Sequence, residues 1–137
     1  MKTNLKFVFD TNSLISVALL VNSTNKLALQ KAEKIGKIFF SRETLLELTE
    51  VLVRKKFDKY LSTQERLDFV NRIEMRYELA KIVSDFTECS DPKDNKFLNL
   101  AVDVGASCII SGDKHLLQMH PFRNISILNS TDFLAYY

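Results

Sequence analysis

The chain has 137 residues, 46% apolar and 26% charged, with 19 Lys+Arg against 17 Asp+Glu and a formal net charge of +2. This is the length of a single domain, residues 1–137, with enough apolar sequence to bury a core and nothing that suggests disorder. Three glycines and two prolines fall well below the usual ~7% and ~5%, which excludes collagen-like and turn-rich small β folds, and the small net charge excludes nucleic-acid binding by bulk electrostatics alone.

Lys6, Phe7, Val8 and Phe9 form a short run of strand formers, and helical spacing follows over residues 13–21. The apolar stretch 14–21 is interrupted by Ser16 and is far shorter than the ~20 residues of a membrane span, and no convincing cleavage site follows it. Neither a span nor a secretory signal is expected. A polar break at residues 22–25 precedes a second helix over 26–35, closed by Gly36. Ile38, Phe39 and Phe40 make a second strand, and Ser41 is placed to cap a helix beginning at Arg42 and carrying Leu45, Leu48 and Leu52. Ser62-Thr63-Gln64-Glu65 has the form of a capping box, in which Ser oxygen and Glu carboxylate each satisfy an otherwise unpaired backbone N–H. The helix it opens carries Leu67, Val70, Ile73 and Tyr77 on one side. Lys81, Ile82 and Val83 read as a third strand. Asp91-Pro92 starts another helix that runs to Gly105. Cys108, Ile109 and Ile110 make a fourth strand, residues 125–128 a fifth, and a closing helix starts near Ser130 or Thr131.

Short apolar strands alternating with amphipathic helices predict an α/β fold, a three-layer α/β/α sandwich around a mostly parallel five-stranded sheet. Such sheets bind ligands beyond the carboxyl ends of their strands. Asp10 follows the first strand directly, and Asp113 follows the fourth after Ser111-Gly112. Asp91 and Asp94 open the helix that feeds the fourth strand, and Glu47 lies in the helix after the second, with Glu43 and Glu50 on roughly the same side. Each acid alone has a structural explanation as a cap, a first-turn residue or a solvated helix residue. Gathered at one crevice, they repel one another unless a cation sits among them. For an all-oxygen donor set that cation is Mg²⁺ or Mn²⁺, and the leading chemistry is metal-dependent phosphodiester hydrolysis.

No Gly-rich phosphate loop is present, and no Ser or Cys nucleophile has a histidine base beside it in a recognisable arrangement. His115 and His120 read as surface positions, with a substrate contact open for His115. Cys89 and Cys108 have no zinc-type spacing, and reduced thiols in a cytoplasmic protein are expected.

Phe9-Asp10-Thr11-Asn12, residues 41–47, the run Asp91-Pro92-Lys93-Asp94-Asn95-Lys96-Phe97-Leu98 and Ser111-Gly112-Asp113 together resemble the PIN-domain nucleases, most closely the toxin components of bacterial toxin–antitoxin pairs. The resemblance spans roughly residues 5–134. It implies a Mg²⁺- or Mn²⁺-dependent endoribonuclease whose four acids fall on Asp10, Glu47, Asp94 and Asp113. The distance from Asp94 to Gly105 resembles the family spacing better than that from Asp91, which leaves Asp91 as an accessory metal ligand or a helix cap. Thr11, Asn12 and Ser111 match small polar positions that hydrogen-bond water at the metal or the neighbouring acids. The resemblance also implies an RNA substrate, a homodimer and a cognate antitoxin.

Arg54, Lys55, Lys56 and Lys59, interleaved with Phe57 and Tyr60, are the best candidates for an RNA contact, the alternative being a solvated helix end. A phosphatase of similar layering fits less well, because Asn12 stands where a haloacid-dehalogenase-like enzyme carries its second Asp. A catalytically silent PIN-like interaction module is the other alternative.

Overall fold

The structure is a computed structural model and describes residues 4–137. Five strands, β1 (Leu5–Phe9), β2 (Gly36–Phe40), β3 (Glu78–Leu79), β4 (Cys108–Ile110) and β5 (Ser126–Leu128), pair in parallel in the order β3-β2-β1-β4-β5. Between and after them run α1 (Thr11–Leu19), α2 (Thr24–Ile35), α3 (Arg42–Leu52), α4 (Thr63–Arg76), α5 (Asn95–Val104), α6 (Lys114–Leu117) and α7 (Ser130–Tyr136). Among the described residues, no helix is long and apolar enough to cross a membrane.

Successive residues of the central strands enter opposite cores. Val8, Ile109 and Ile127 pack with Phe97, Leu98 and Ala101 of α5 and Leu116 of α6. Phe7, Phe9, Cys108 and Ile110 pack with Ala28, Leu29 and Ala32 of α2 and Phe133 of α7. Burial of both faces is why these strands read as unbroken apolar runs, and each fully buried Ile or Phe contributes about 1.5–3 kcal/mol. A third cluster, including Ile15, Phe40, Leu48, Leu52, Phe69 and Ile73, fastens α1 and β2 to the α3–α4 pair.

The helix boundaries follow local chemistry. The Ser41 hydroxyl accepts from Thr44 N at 3.1 Å, and Thr44 Oγ1 accepts from Ser41 N at 2.9 Å. The Ser62–Glu65 box forms as its residue types require, with both reciprocal bonds at 3.1 Å. Gly105 ends α5 in the left-handed region at φ 68°, which favours glycine. Gly36 ends α2 and also begins β2, where a Cβ would lie 2.4 Å from the Leu5 carbonyl oxygen. Space, rather than backbone angle, requires glycine there.

Three expectations need correction. The third strand is Glu78–Leu79 and not Lys81, Ile82 and Val83. Ala80 N still bonds to Phe40 O at 2.8 Å, but beyond it the Asp103 carboxylate takes the N–H groups of Val83 and Ser84 at 2.7 and 3.0 Å and draws the chain off the sheet edge. The helix expected from Asp91-Pro92 begins as a 3-10 turn, Pro92–Asp94, and becomes α-helical only at Asn95. On α4 the fully buried face holds Arg66, Phe69, Val70 and Ile73, with Leu67 and Tyr77 only half-buried.

The Arg66 side chain is fully buried. It donates to the carbonyl oxygens of Leu52 and Arg54 at 2.7 and 3.1 Å and to Asp58 Oδ1 at 2.5 Å. A buried charge is tolerable when it is hydrogen-bonded in this way, and here those bonds set the course of the α3–α4 connection.

Candidate metal centre and active-site cleft

β1 and β4 are adjacent at the centre of the sheet, with Phe9 opposite Ile110. Asp10 N donates to Ile110 O at 3.1 Å, so the residues that follow the two strands meet. Ser111 Oγ donates to Asp10 Oδ2 at 2.5 Å and accepts from Asp113 N at 2.9 Å. Asp10 also caps α1, its Oδ1 accepting from Ser13 N at 2.9 Å. Its carboxylate is therefore fixed from both sides before any ligand binds.

The turn Pro92–Asp94 carries Asp91 and Asp94 toward Asp113. One carboxylate oxygen from each of these three lies within 4.8 Å of the other two. Asp91 accepts a long bond from Lys93 N, at 3.4 Å, and its Oδ2 lies 4.0 Å from Lys93 Nζ. Asp94 is 6% exposed, and its Oδ2 is buried with no hydrogen-bond partner. Native structures rarely leave such an atom unsatisfied without a reason.

The electrostatics reflect that crowding. Burial pushes the Asp10 pKa up, against hydrogen bonds from Ser111 and Ser13 that lower it, and the Asp113 charge adds to the rise. Burial also lifts Asp94, to about 7, helped by the charge of Asp113, a hydrogen bond with its carboxyl group, and the charges of Asp91 and Asp10. Acids held this way favour either a proton or a cation.

A cleft of about 230 Å³ is lined by Asp10, Thr11, Asn12, Glu47, Asp94 and Asp113 together with Glu50, Val51, Arg54, Lys56, Phe57, Lys93 and Phe97. Glu47 enters it from α3 with both oxygens engaged. Thr11 Oγ1 donates to Oε1 at 2.5 Å, and Lys96 Nζ donates to Oε2 at 3.0 Å. Lys96 Nζ also donates to Lys93 O at 2.7 Å. Of the candidate RNA-contact residues, Arg54 and Lys56 line the cleft, whereas Lys55 and Lys59 do not; Glu50 lines it and Glu43 does not. His115 lies outside it, its Nδ1 2.8 Å from Ser90 Oγ, and His120 Nδ1 accepts from Ile127 N at 2.8 Å. A larger groove of about 440 Å³ between α1, α2 and α4 has Glu33 as its one lining carboxylate, so it does not share the acidic chemistry.

Lys93 and Lys96 lie within the Asp91–Leu98 motif but were given no role there; Lys93 lines the cleft and Lys96 holds Glu47. A cation in the first turn of a helix opposes the helix dipole, and that misplacement on α5 was the available signal. The second omission is Arg66, hidden because a cation at helical spacing with Phe69, Val70 and Ile73 reads as a polar interruption of the apolar face.

A layered parallel sheet with acids converging beyond its central strands defines an acid-lined α/β domain, and comparison with known proteins gives its family. Residues 6–115 match the PIN domain family model, and the chain belongs to that family. It is 32% identical over 124 residues to the uncharacterized protein MJ1680 of Methanocaldococcus jannaschii, covering 86% of this chain and 77% of that protein. Its fold is similar to crystal structures of VapBC2 from Rickettsia felis bound to a promoter DNA fragment (TM-score 0.64, 12% identity, 91% of this chain and 98% of that one) and of the Mycobacterium tuberculosis sarcin-ricin loop cleaving toxin VapC20 (TM-score 0.61, 12% identity, 88% and 98%).

Proposed function

We propose that this chain is a Mg²⁺- or Mn²⁺-dependent endoribonuclease that hydrolyses RNA phosphodiester bonds, acting in the cytoplasm as the toxin of a toxin–antitoxin pair. The observation that carries the reading is the buried, unpartnered Asp94 Oδ2 within a three-carboxylate group at a cleft whose wall bears Arg54, Lys56 and Lys93. Family membership supports the nuclease class, and the similarity to VapC20, a sarcin-ricin loop cleaving toxin, supports the toxin assignment; an antitoxin partner and a homodimeric state are part of the same proposal.

The donor set fits a hard divalent cation: it is all oxygen and crowded, and its ion pair among the described residues is the 4.0 Å contact of Asp91 with Lys93. Asp10, Asp94 and Asp113 would hold the ion, with Asp91 as an accessory ligand and Glu47 completing the acidic rim. A Mg²⁺ or Mn²⁺ ion there supplies activation of the attacking water and neutralisation of charge on the phosphoryl oxygens. The protein does the rest by orientation. Ser111 holds Asp10 through Oδ2, and Thr11 and Lys96 hold Glu47 through its two oxygens. Asn12 is exposed at the cleft, where it can reach a substrate. Burial and the neighbouring acids raise the Asp94 pKa to about 7, so a cation held among these groups would favour its ionised form. Arg54 and Lys56 offer the phosphate backbone the attraction that a net charge of +2 does not.

The test is incubation of the purified chain with single-stranded RNAs of varied sequence in Mg²⁺, Mn²⁺ or EDTA, alongside calorimetric titration of each ion. Cleavage confined to the metal-containing reactions is expected. Absence of both cleavage and metal binding would leave the silent interaction module as the better account.

A further inference from the structure

Asn12 and Asp113 line the acidic cleft and also a second groove of about 430 Å³. The walls of that groove are Ser16 from α1, Thr24 and Asn25 from α2, and Asn129, Ser130 and Thr131 at the start of α7. Every lining residue apart from Asp113 is uncharged, and none is Lys or Arg. The acidic cleft differs, with Arg54, Lys56 and Lys93 on its wall.

This contrast selects the ligand. Cations and charge-assisted donors hold phosphate most strongly; this groove has no Lys or Arg, and the Asp113 carboxylate at its edge repels an anion. Hydroxyl and amide groups, each able to donate and accept, match the mixed donor and acceptor edges of a nucleobase and the 2′-hydroxyl of ribose. The volume lies within the ~300–1,000 Å³ of small-molecule sites. The groove is also preformed, because Ser130 Oγ donates to Asn25 Oδ1 and ties α7 to α2.

We propose that this groove is a nucleoside subsite, taking one base and its ribose from the RNA strand whose phosphodiester lies at the acids; it rests on the ribonuclease reading above. The strand then crosses two unlike surfaces. The basic wall of the cleft holds phosphates without regard to sequence, and the neutral groove reads a nucleoside beside the cleavage point.

Two separate blocks test this, Thr24→Trp and Thr131→Trp, at exposed positions on different helices. Binding of a fluorescent single-stranded RNA oligonucleotide of mixed sequence is followed by anisotropy in EDTA over a range of salt concentrations. Hydrolysis of bis(p-nitrophenyl) phosphate, which needs only the acid site, is measured with Mn²⁺. Each block is expected to weaken RNA binding about tenfold, equivalent to about 1.4 kcal/mol, without changing its salt dependence or the hydrolysis of the small diester. Lys56→Ala instead lowers the salt slope, by about 0.7 per lost phosphate contact. If both blocked variants bind RNA as the unmodified chain does while the small diester is still hydrolysed, the subsite is refuted and the nuclease reading stands. If the unmodified chain neither hydrolyses the diester nor binds RNA, both fail together.

Discussion

Ser111 and Asp10 are joined by a 2.5 Å hydrogen bond from Oγ to Oδ2 across 101 residues of chain, while the same hydroxyl accepts from Asp113 N. One buried serine thus aligns the acids that follow β1 and β4. Ser111→Ala removes a bond to an ionisable group, costing about 1.5–3 kcal/mol of stability. It also releases Asp10, and metal affinity or cleavage is expected to fall by about 10–100-fold, the usual effect of losing a group that supports a ligand. Urea denaturation and metal titration measure the two effects separately. Unchanged metal affinity would contradict the role given to Ser111.

Asp10→Asn keeps the N-cap of α1, because asparagine caps as well as aspartate. The variant is expected to remain folded by circular dichroism and to lose cleavage by more than about 100-fold, beyond the effect of a merely supporting group. A folded Asp10→Asn protein that still cleaves RNA at the original rate removes Asp10 from the site.

Stability should report the crowded acids directly. Asp94 has a pKa of about 7 in the folded chain against its ordinary 3.8, and that of Asp10 is also raised. Between about pH 4 and 7 the native state therefore binds more protons than the unfolded one, so stability falls as pH rises. In EDTA the Tm is expected to decrease across that interval, and Mn²⁺ at pH 8 is expected to restore it, because a ligand that binds only the native state stabilises it. Asp94→Asn should raise the metal-free Tm at pH 8 and abolish the response to Mn²⁺. A flat pH profile in EDTA, unaffected by the ion, counts against a shared site.

Lys96 holds Glu47 at 3.0 Å from the first turn of α5. Because a cation there opposes the helix dipole, Lys96→Met is expected to change stability by no more than about 0.5 kcal/mol, yet to lower kcat/KM about tenfold by freeing Glu47. Matched thermal melts with unequal cleavage rates are the signature. Equal rates would make the contact structural only.

Arg66 supports the basic wall from beneath. Arg66→Met removes the side-chain donor from the carbonyl oxygens of Leu52 and Arg54, of which Arg54 O keeps only its bond from Phe57 N, for an expected loss of about 2–4 kcal/mol in urea denaturation. Asp58 is 60% exposed at its side chain, so Asp58→Asn should cost less than about 1 kcal/mol. Equal losses in the two variants would mean that the ion pair, rather than the carbonyl contacts, holds the α3–α4 connection.

Local chemistry carried most of the architecture. The apolar runs of β1, β2 and β4, the caps at Ser41 and Ser62 and the stop at Gly105 depend on neighbours within a few residues, so they were legible in chain order. Asp10 and Asp113 were legible for the same reason, since a parallel layered sheet exposes the residues that follow its strands. The third strand was not, because its end is decided by Asp103 from a different element. Spacing to Gly105 favoured Asp94 over Asp91, but it could not show which carboxylates meet. The grouping of Asp91, Asp94 and Asp113, the Thr11 and Lys96 bonds to Glu47, the place of Arg54 and Lys56 on the cleft wall and the burial of Arg66 all arise from contacts between distant segments. Composition supplied a charge of +2, but its division into an acidic centre, a basic wall and a neutral groove required the tertiary structure, since electrostatic interaction depends on separation in space and on burial rather than on position in the chain.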